Sequence, residues 1–406
     1  MLGLTAHRHG GRWTGAQERE RGGLTKLFRD VSRTRWRVPI SLLCLIGCGS
    51  PDWLPHPVGE RLVRPVQSAT VIAASVEPTP LALQSMTVAL GSHEIDDVIG
   101  VLEGSPILEF GSIEGVERDA YGRLFVLDGQ ASEIRAFVDE GTGLEPWQVF
   151  GGPGAGPGEF RHPSALSAAP TGPVVVFERS GRVHRFSIQE DSLRYVDTSQ
   201  FLMTINDGCT LGDTLVLTGA NPADPGAIHM FDRTNRYIRS FARLYRTDNV
   251  SLQVQIQTAK VVCAPGTGGI LLAPMFLPEI RRYDRSGELV WWTRMDGLKP
   301  IYLAEGSDGN VAIGTPEDGY HRTLGVHVEE SVGAVILQVG HITREARARG
   351  ELDEVLTYVL SLESGKGALV GRHISEIRHV DQEGVVFSRP NPFPTLHVVH
   401  WSPSEL

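Results

Sequence analysis

Asp119-Ala-Tyr-Gly122-Arg-Leu-Phe-Val126-Leu-Asp128 reads as a tight turn feeding a short apolar strand. A polar gap then leads to a second strand, Ile134-Arg-Ala-Phe137. The same sentence of turn and strand returns along the chain. Pro170-Thr-Gly172-Pro-Val-Val-Val176, Leu211-Gly212-Asp-Thr-Leu-Val216 and Pro265-Gly-Thr-Gly268-Gly-Ile-Leu271 repeat it. So do Asp308-Gly309-Asn-Val-Ala-Ile313 and Asp381-Gln-Glu-Gly384-Val-Val-Phe387. A repeat a few tens of residues long, built from short strands and Gly turns, signals radial or solenoid all-β architecture.

Working outward, strand signals alternate with turn signals from residue 86 to 401. They group into six repeats of about four strands. The first holds Glu114–Arg118, Arg123–Leu127, Ile134–Val138 and Trp147–Phe150. The fifth is read as Ile301–Ala304, Val311–Gly314, Thr323–Val328 and Ala334–Val339. The sixth supplies only Glu376–Val380, Val385–Ser388 and Leu396–Trp401. A last repeat short by one strand predicts a closed ring, completed from upstream of the first repeat, with Met86–Leu90 as the expected closing strand. Closure of that kind removes the terminal edges that would pair with other chains. One segment departs from the pattern. Leu352, Val355, Leu356, Val359 and Leu360 recur at helical spacing, which predicts an amphipathic helix over Arg344–Glu363, inserted between repeats five and six.

The first fifty residues are of another kind. Arg33, Arg35 and Arg37 precede the apolar run Val38–Ile46, which is followed by Gly47-Cys48-Gly49-Ser50. A basic region, a short apolar stretch and small residues read as a secretory signal. The run falls well short of the about 20 residues of a spanning helix. Residues 1–47 carry nine Lys and Arg against three Asp and Glu, a net +6. The whole chain is −10, so the remainder is −16. A body that acidic is poorly suited to a nucleic-acid partner, which needs a basic patch. Residues 48–82, rich in Pro, Ser, Thr and Ala, read as a flexible tether, and 83–406 as one folded domain.

Two resemblances add to this. Leu45-Ile46-Gly47-Cys48 resembles a bacterial lipobox, which implies diacylation of Cys48 and, with Gly49 next, an outer-membrane destination. Phe150-Gly-Gly-Pro-Gly-Ala-Gly156-Pro157-Gly158-Glu159-Phe160-Arg-His-Pro163, with Asp128 and Ile134–Phe137 before it, resembles an NHL-type repeat junction. The chain is thus similar to bacterial six-bladed β-propeller proteins, many of them predicted lipoproteins. The match is specific over residues 111–190. The glycine run has no Gly-Lys-[Ser/Thr] ending and opens no helix, so it is not read as a phosphate cradle.

For a ring, ligands are expected at the mouth of the central channel. By register Glu114, Arg118, His162, Asp207, His373, Glu376 and Arg378 lie nearest to it, with His379 a further candidate. Cys209 and Cys263 hold similar places in consecutive repeats and either pair or stay as buried thiols. No catalytic motif, cofactor motif or zinc spacing is present. A metal held between blades would draw on His162, His373 and one of His321 or His327. Two functions are therefore carried forward. One is an envelope-anchored scaffold, held to the membrane by its lipid alone, that binds a small ligand, a glycan or a cell-envelope protein without catalysis. The other is a metal-assisted hydrolase or lyase at the channel mouth.

Overall fold

The structure is a computed structural model. It describes residues 70–72, 84–91, 95–141, 143–169, 172–189, 192–221, 223–244, 250–305, 311–314, 316 and 318–401. The signal segment 1–47, Cys48 and most of the tether lie outside the described residues. Those that are described fall in one compact unit, Leu54–Leu406.

The chain opens with strand β1 (Thr70–Ile72), helix α1 (Gln84–Gly91) and strand β2 (Asp97–Ile99). Blade one is β3 (Ile113–Arg118), β4 (Leu124–Asp128), β5 (Glu133–Asp139) and β6 (Leu144–Gly151). Blade two is β7 (Pro163–Ala168), β8 (Val174–Glu178), β9 (Arg182–Gln189) and β10 (Ser192–Gln200). Blade three is β11 (Thr204–Leu211), β12 (Thr214–Ala220), β13 (Ile228–Phe231) and β14 (Tyr237–Phe241). Helix α2 (Val250–Ile256) leads into blade four: β15 (Ala259–Ala264), β16 (Gly269–Pro274), β17 (Glu279–Tyr283) and β18 (Leu289–Met295). A separate hairpin follows, β19 (Tyr302–Glu305) and β20 (Val311–Gly314). Blade five is β21 (Tyr320–Glu329), β22 (Ala334–Ile342), helix α3 (Arg344–Arg349), β23 (Glu354–Ser361) and β24 (Gly367–Arg372). Blade six is β25 (Glu376–Asp381), β26 (Gly384–Arg389), β27 (Thr395–His400) and, as its outer strand, β2.

Within each blade the strands pair antiparallel in chain order, and the first strands β3, β7, β11, β15, β21 and β25 each contact the next around a ring that closes from β25 to β3. The chain is an all-β six-bladed propeller. Among the described residues its core falls into six clusters, each seated between neighbouring blades, the one between blades three and four also taking in Tyr320 and Ile342 of blade five. Phe125, Leu127, Val176 and Phe186 join blades one and two, for example, and Ile99, Val126, Val386 and Leu396 join six and one. A blade packed on both faces explains why second strands read as unbroken apolar runs such as Val174-Val-Val-Phe177 rather than as alternation.

Turn chemistry repeats with the strands. Asp119, Asp232 and Asp284 each accept a backbone N–H from the residue four positions on, at 3.1, 3.0 and 2.9 Å. Gly122, Asn235 and Gly287, three positions on, have φ of 76°, 63° and 86°. The carboxylate organises the hairpin and the left-handed residue closes it.

Four expectations change. The closing strand is β2, whose Asp97, Val98 and Ile99 face Val398, His397 and Leu396. Met86–Leu90 belongs instead to α1, with Met86 and Leu90, one turn apart, buried between blades five and six. The predicted helix over Arg344–Glu363 shrinks to Arg344–Arg349 and lies inside blade five, not between five and six. Thr343 caps its start through Ala346 N (3.2 Å) and Gly350 its end at φ 71°. The apolar residues that suggested a longer helix are mostly in β23, a third strand buried on both faces, which no periodicity distinguishes from a helix stripe. That shift moves the frame of repeat five by two strands, leaving 302–314 as the extra hairpin. Finally, residues 70–72 of the expected tether form β1, which pairs in parallel with β18 at the outer edge of blade four.

Candidate functional site

The six inner strands enclose a channel cavity of about 490 Å³, within the range of small-ligand sites. Five of them slip register where they enter the wall, between Ile113 and Gly115, Pro163 and Ala165, Ile205 and Asp207, Thr323 and Gly325, and Ile377 and His379. The sixth, β15, pairs without a shift. A bulge re-aims the side chains around it, and Asp207 and His379 each stand directly after one.

Buried polar groups fix the strand entries. The Asp128 carboxylate accepts from the N–H groups of Gly111 and Ser112 (2.8 and 3.1 Å), which lead into β3, and pairs with Arg135 at 3.2 Å. Glu178 does the same for β7 through Arg161 N at 2.9 Å, with His184 at 3.0 Å behind it. Gln338 of blade five accepts from Ile377 N at 2.6 Å and donates to Ser375 O at 3.1 Å, which sets β25. Such partners offset the cost of burying a polar group.

Charged side chains meet in the channel at two seams. Between blades six and one, Arg118, 2% exposed, donates to Asp381 and lies 3.2 Å from both Asp381 and Glu383. His379 stands between Asp381 (3.1 Å) and Glu117 (3.4 Å). Burial pulls the His379 pKa down, but its hydrogen bonds to the two carboxylates prevail and lift it to about 9. Burial raises Asp381, and the hydrogen bond from His379 with the charges of His379 and Arg118 overrides it, taking Asp381 to about 2. Glu117 goes the other way, because burial outweighs its single contact with His379.

Between blades three and four, Asp207 accepts from Val261 N at 3.1 Å and from Gly208 N at 3.0 Å, with Lys260 Nζ 4.0 Å away. Burial again prevails and raises its carboxyl. Beside it Cys209 and Cys263 are joined in a disulfide, Cα atoms 5.8 Å apart, which ties β11 to β15. On blade five, His327 donates Nε2–H to Ile377 O at 3.0 Å. Burial, with the positive charge of His379, drops it to about 3, so it is neutral.

Of the sequence candidates, Glu114, Arg118, Asp207, Glu376 and Arg378 line this cavity, as does His379. His162 and His373 do not. Both are exposed in the loops that precede β7 and β25, where His162 contributes its carbonyl to Arg179 N and His373 turns the chain at φ 67°. His321 is likewise elsewhere, stacked on His341 at 4.7 Å. Among the described residues no group of three or more His, Cys, Asp and Glu is placed to hold a metal ion. His327, named from sequence as a possible metal ligand, does line the cavity, whereas sequence reasoning missed Glu117, Lys260, Asp381 and Glu383. For Glu117 and Lys260 the available signal was a charge inside an inner strand; Asp381 and Glu383 belong to the end of β25 and the turn after it.

The glycine-rich junction is a plug. Gly154 N donates to Phe160 O and Phe160 N to Gly152 O, both at 2.9 Å, which buries the Phe160 ring against His184 and Phe186. Gly151, at φ 103°, has no room for a side chain: a Cβ would sit 2.6 Å from the Phe160 ring.

No family model matches the sequence, and no curated protein matches it. Solved propellers do match in fold. A member of the DUF4221 family from Bacteroides vulgatus shares 10% identity at a TM-score of 0.52, over 76% of this chain and 97% of that one. A putative exported protein from Bacteroides fragilis shares 10% identity at 0.52, over 82% of this chain and 100% of that one. At that identity the likeness is one of fold.

Proposed function

We propose that this protein is a membrane-anchored, extracytoplasmic β-propeller that binds a small ligand, a glycan or an envelope protein at its central channel, without catalysing a reaction. The observation that carries this reading is the cavity itself, into which blades one, three, four, five and six each send a charged group or an imidazole. The lipobox-like Leu45–Cys48 supports the anchor, and the Phe150–Pro163 junction supports kinship with NHL-type propellers. The two imidazoles of the wall are poorly tuned for proton transfer at neutral pH. A general base works best with a pKa near the operating pH, whereas His379 is held at about 9 and His327 at about 3.

Two measurements test it. Cells fed labelled palmitate should incorporate it into the wild-type chain and not into Cys48→Ser, which should leave the membrane fraction. Equal labelling of both, or a soluble wild type, rejects the anchor. Native mass spectrometry of protein taken from the envelope should reveal a bound species that Ser167→Trp, which fills the cavity from its wall, loses. A species retained by that variant rejects the channel as its site.

A further inference from the structure

Five of the six blades place charged residues on the channel wall, blade five through Glu329 and Glu330, and one blade does not. Blade one contributes Glu117, blade three Asp207, blade four Lys260, and blade six Arg378 and His379. Blade two contributes Ala165, Leu166, Ser167, Ala168 and Ala169, and no charge. Each of the two acids flanking blade two therefore has a cation on its far side only. Glu117 has His379 at 3.4 Å and Asp207 has Lys260 at 4.0 Å. The small side chains of blade two leave an uncharged bay between them, flanked by carboxylates.

From this arrangement, and resting on the channel as a binding site, we propose that the ligand carries a protonated amine or guanidinium, seated in the bay before blade two between Glu117 and Asp207. A cation there would complete both half-satisfied pairs. The carboxylates are open to it, since Glu117 is 32% exposed and Asp207 13%, and the surface they meet is that of the cavity. Burial keeps both carboxyls above their ordinary range, and the charge of Asp207 adds to the rise at Glu117, as expected where a carboxylate is short of compensating charge. The two remaining basic groups of the wall do not fill this need. Arg118 is spent on Asp381 and Glu383, and Arg378 on Glu376 and Ser388. The cavity, at about 490 Å³, sets an upper size near that of a polyamine, a basic amino acid or a short basic peptide end.

The test is calorimetric titration of the full chain with putrescine, agmatine, lysine and arginine, and with succinate and maltose as anionic and neutral probes. At least one amine should bind and neither of the others should. Glu117→Gln and Asp207→Asn should each weaken that binding about tenfold or more, since either leaves the ligand charge half-paired. Ser167→Lys supplies an ammonium to the bay from the wall itself. It should abolish amine binding and raise the melting temperature, a readout that a merely misfolded variant cannot give. Binding of succinate or maltose without any amine overturns the inference and leaves the scaffold reading standing. So does amine binding that all three variants preserve. If no probe binds, the inference falls and the scaffold reading answers to palmitate labelling and envelope mass spectrometry alone.

Discussion

The seam between blades six and one hangs on one proton. His379 is 12% exposed and bridges Glu117 and Asp381 as an imidazolium. Its pKa is lifted from the ordinary 6.5 to about 9. A group whose pKa is higher in the folded state contributes stability that is complete below its unfolded value and is lost as pH rises through the folded one. The window is therefore pH 6.5 to 9 and above. At about 1.4 kcal/mol per pH unit, the contribution is roughly 3 kcal/mol in acid, most of which disappears between pH 7 and pH 10. Urea unfolding followed by Trp fluorescence at pH 7, 8, 9 and 10 measures the loss. The comparison is with His379→Gln, which keeps a hydrogen-bonding side chain and does not titrate, so that Lys and Tyr groups elsewhere cancel. The wild type should lose about 2 to 3 kcal/mol more than the variant over this interval. Equal slopes would refute the argument, and so would an imidazole resonance of His379 that titrates near 6.5.

Other outcomes follow from the same structure. Replacing Cys209 and Cys263 by Ala opens a loop with a sequence separation of 54. Chain-entropy arithmetic for that loop gives a stability loss of up to about 4 kcal/mol, and a variant as stable as the wild type in urea would deny the cross-link a role. Gly151→Ala places a methyl 2.6 Å from the Phe160 ring and 2.8 Å from Ser132 O at φ 103°. It should cost more than the about 1–3 kcal/mol of a strained backbone alone, checked by thermal melting against Gly152→Ala, which at φ 123° carries the backbone strain but has open space. Ile99→Ala hollows the wedge where β2 closes the ring and should cost about 2–5 kcal/mol. Val98→Ala on the exposed face of the same strand should be nearly silent by the same melt.

Asp119–Asp128 was enough to announce turn-and-strand repetition, because hairpin chemistry is local: an aspartate, two residues and a left-handed glycine or asparagine. Closure by an upstream strand also followed from counting, since six repeats arrived one strand short. Which strand closes was not legible. Met86–Leu90 and Asp97–Ile99 are both short and apolar, and only packing against Leu396 and Val398 chose the second while the core between blades five and six took up the first as a helix. Strand β23 was misread for a related reason. Buried on both faces, it shows no period, and its neighbours β22 and β24 rather than its own residues make it a strand.

The sequence alone determined the ring of short-stranded repeats and the turns within them, consequences of contacts within some ten residues, and, through composition, the acidic character of the body. The tertiary structure decided what faces what. Glu117 and His379 lie more than two hundred and sixty positions apart in the chain, yet the ring sets them 3.4 Å apart. Cys209 and Cys263 face each other because β11 and β15 are neighbours in the wall. His162 and His373 fall outside the channel because the inner strands begin at Pro163 and Glu376. A site drawn from separate blades has no spacing in sequence, since its distances are set by the closure of the ring.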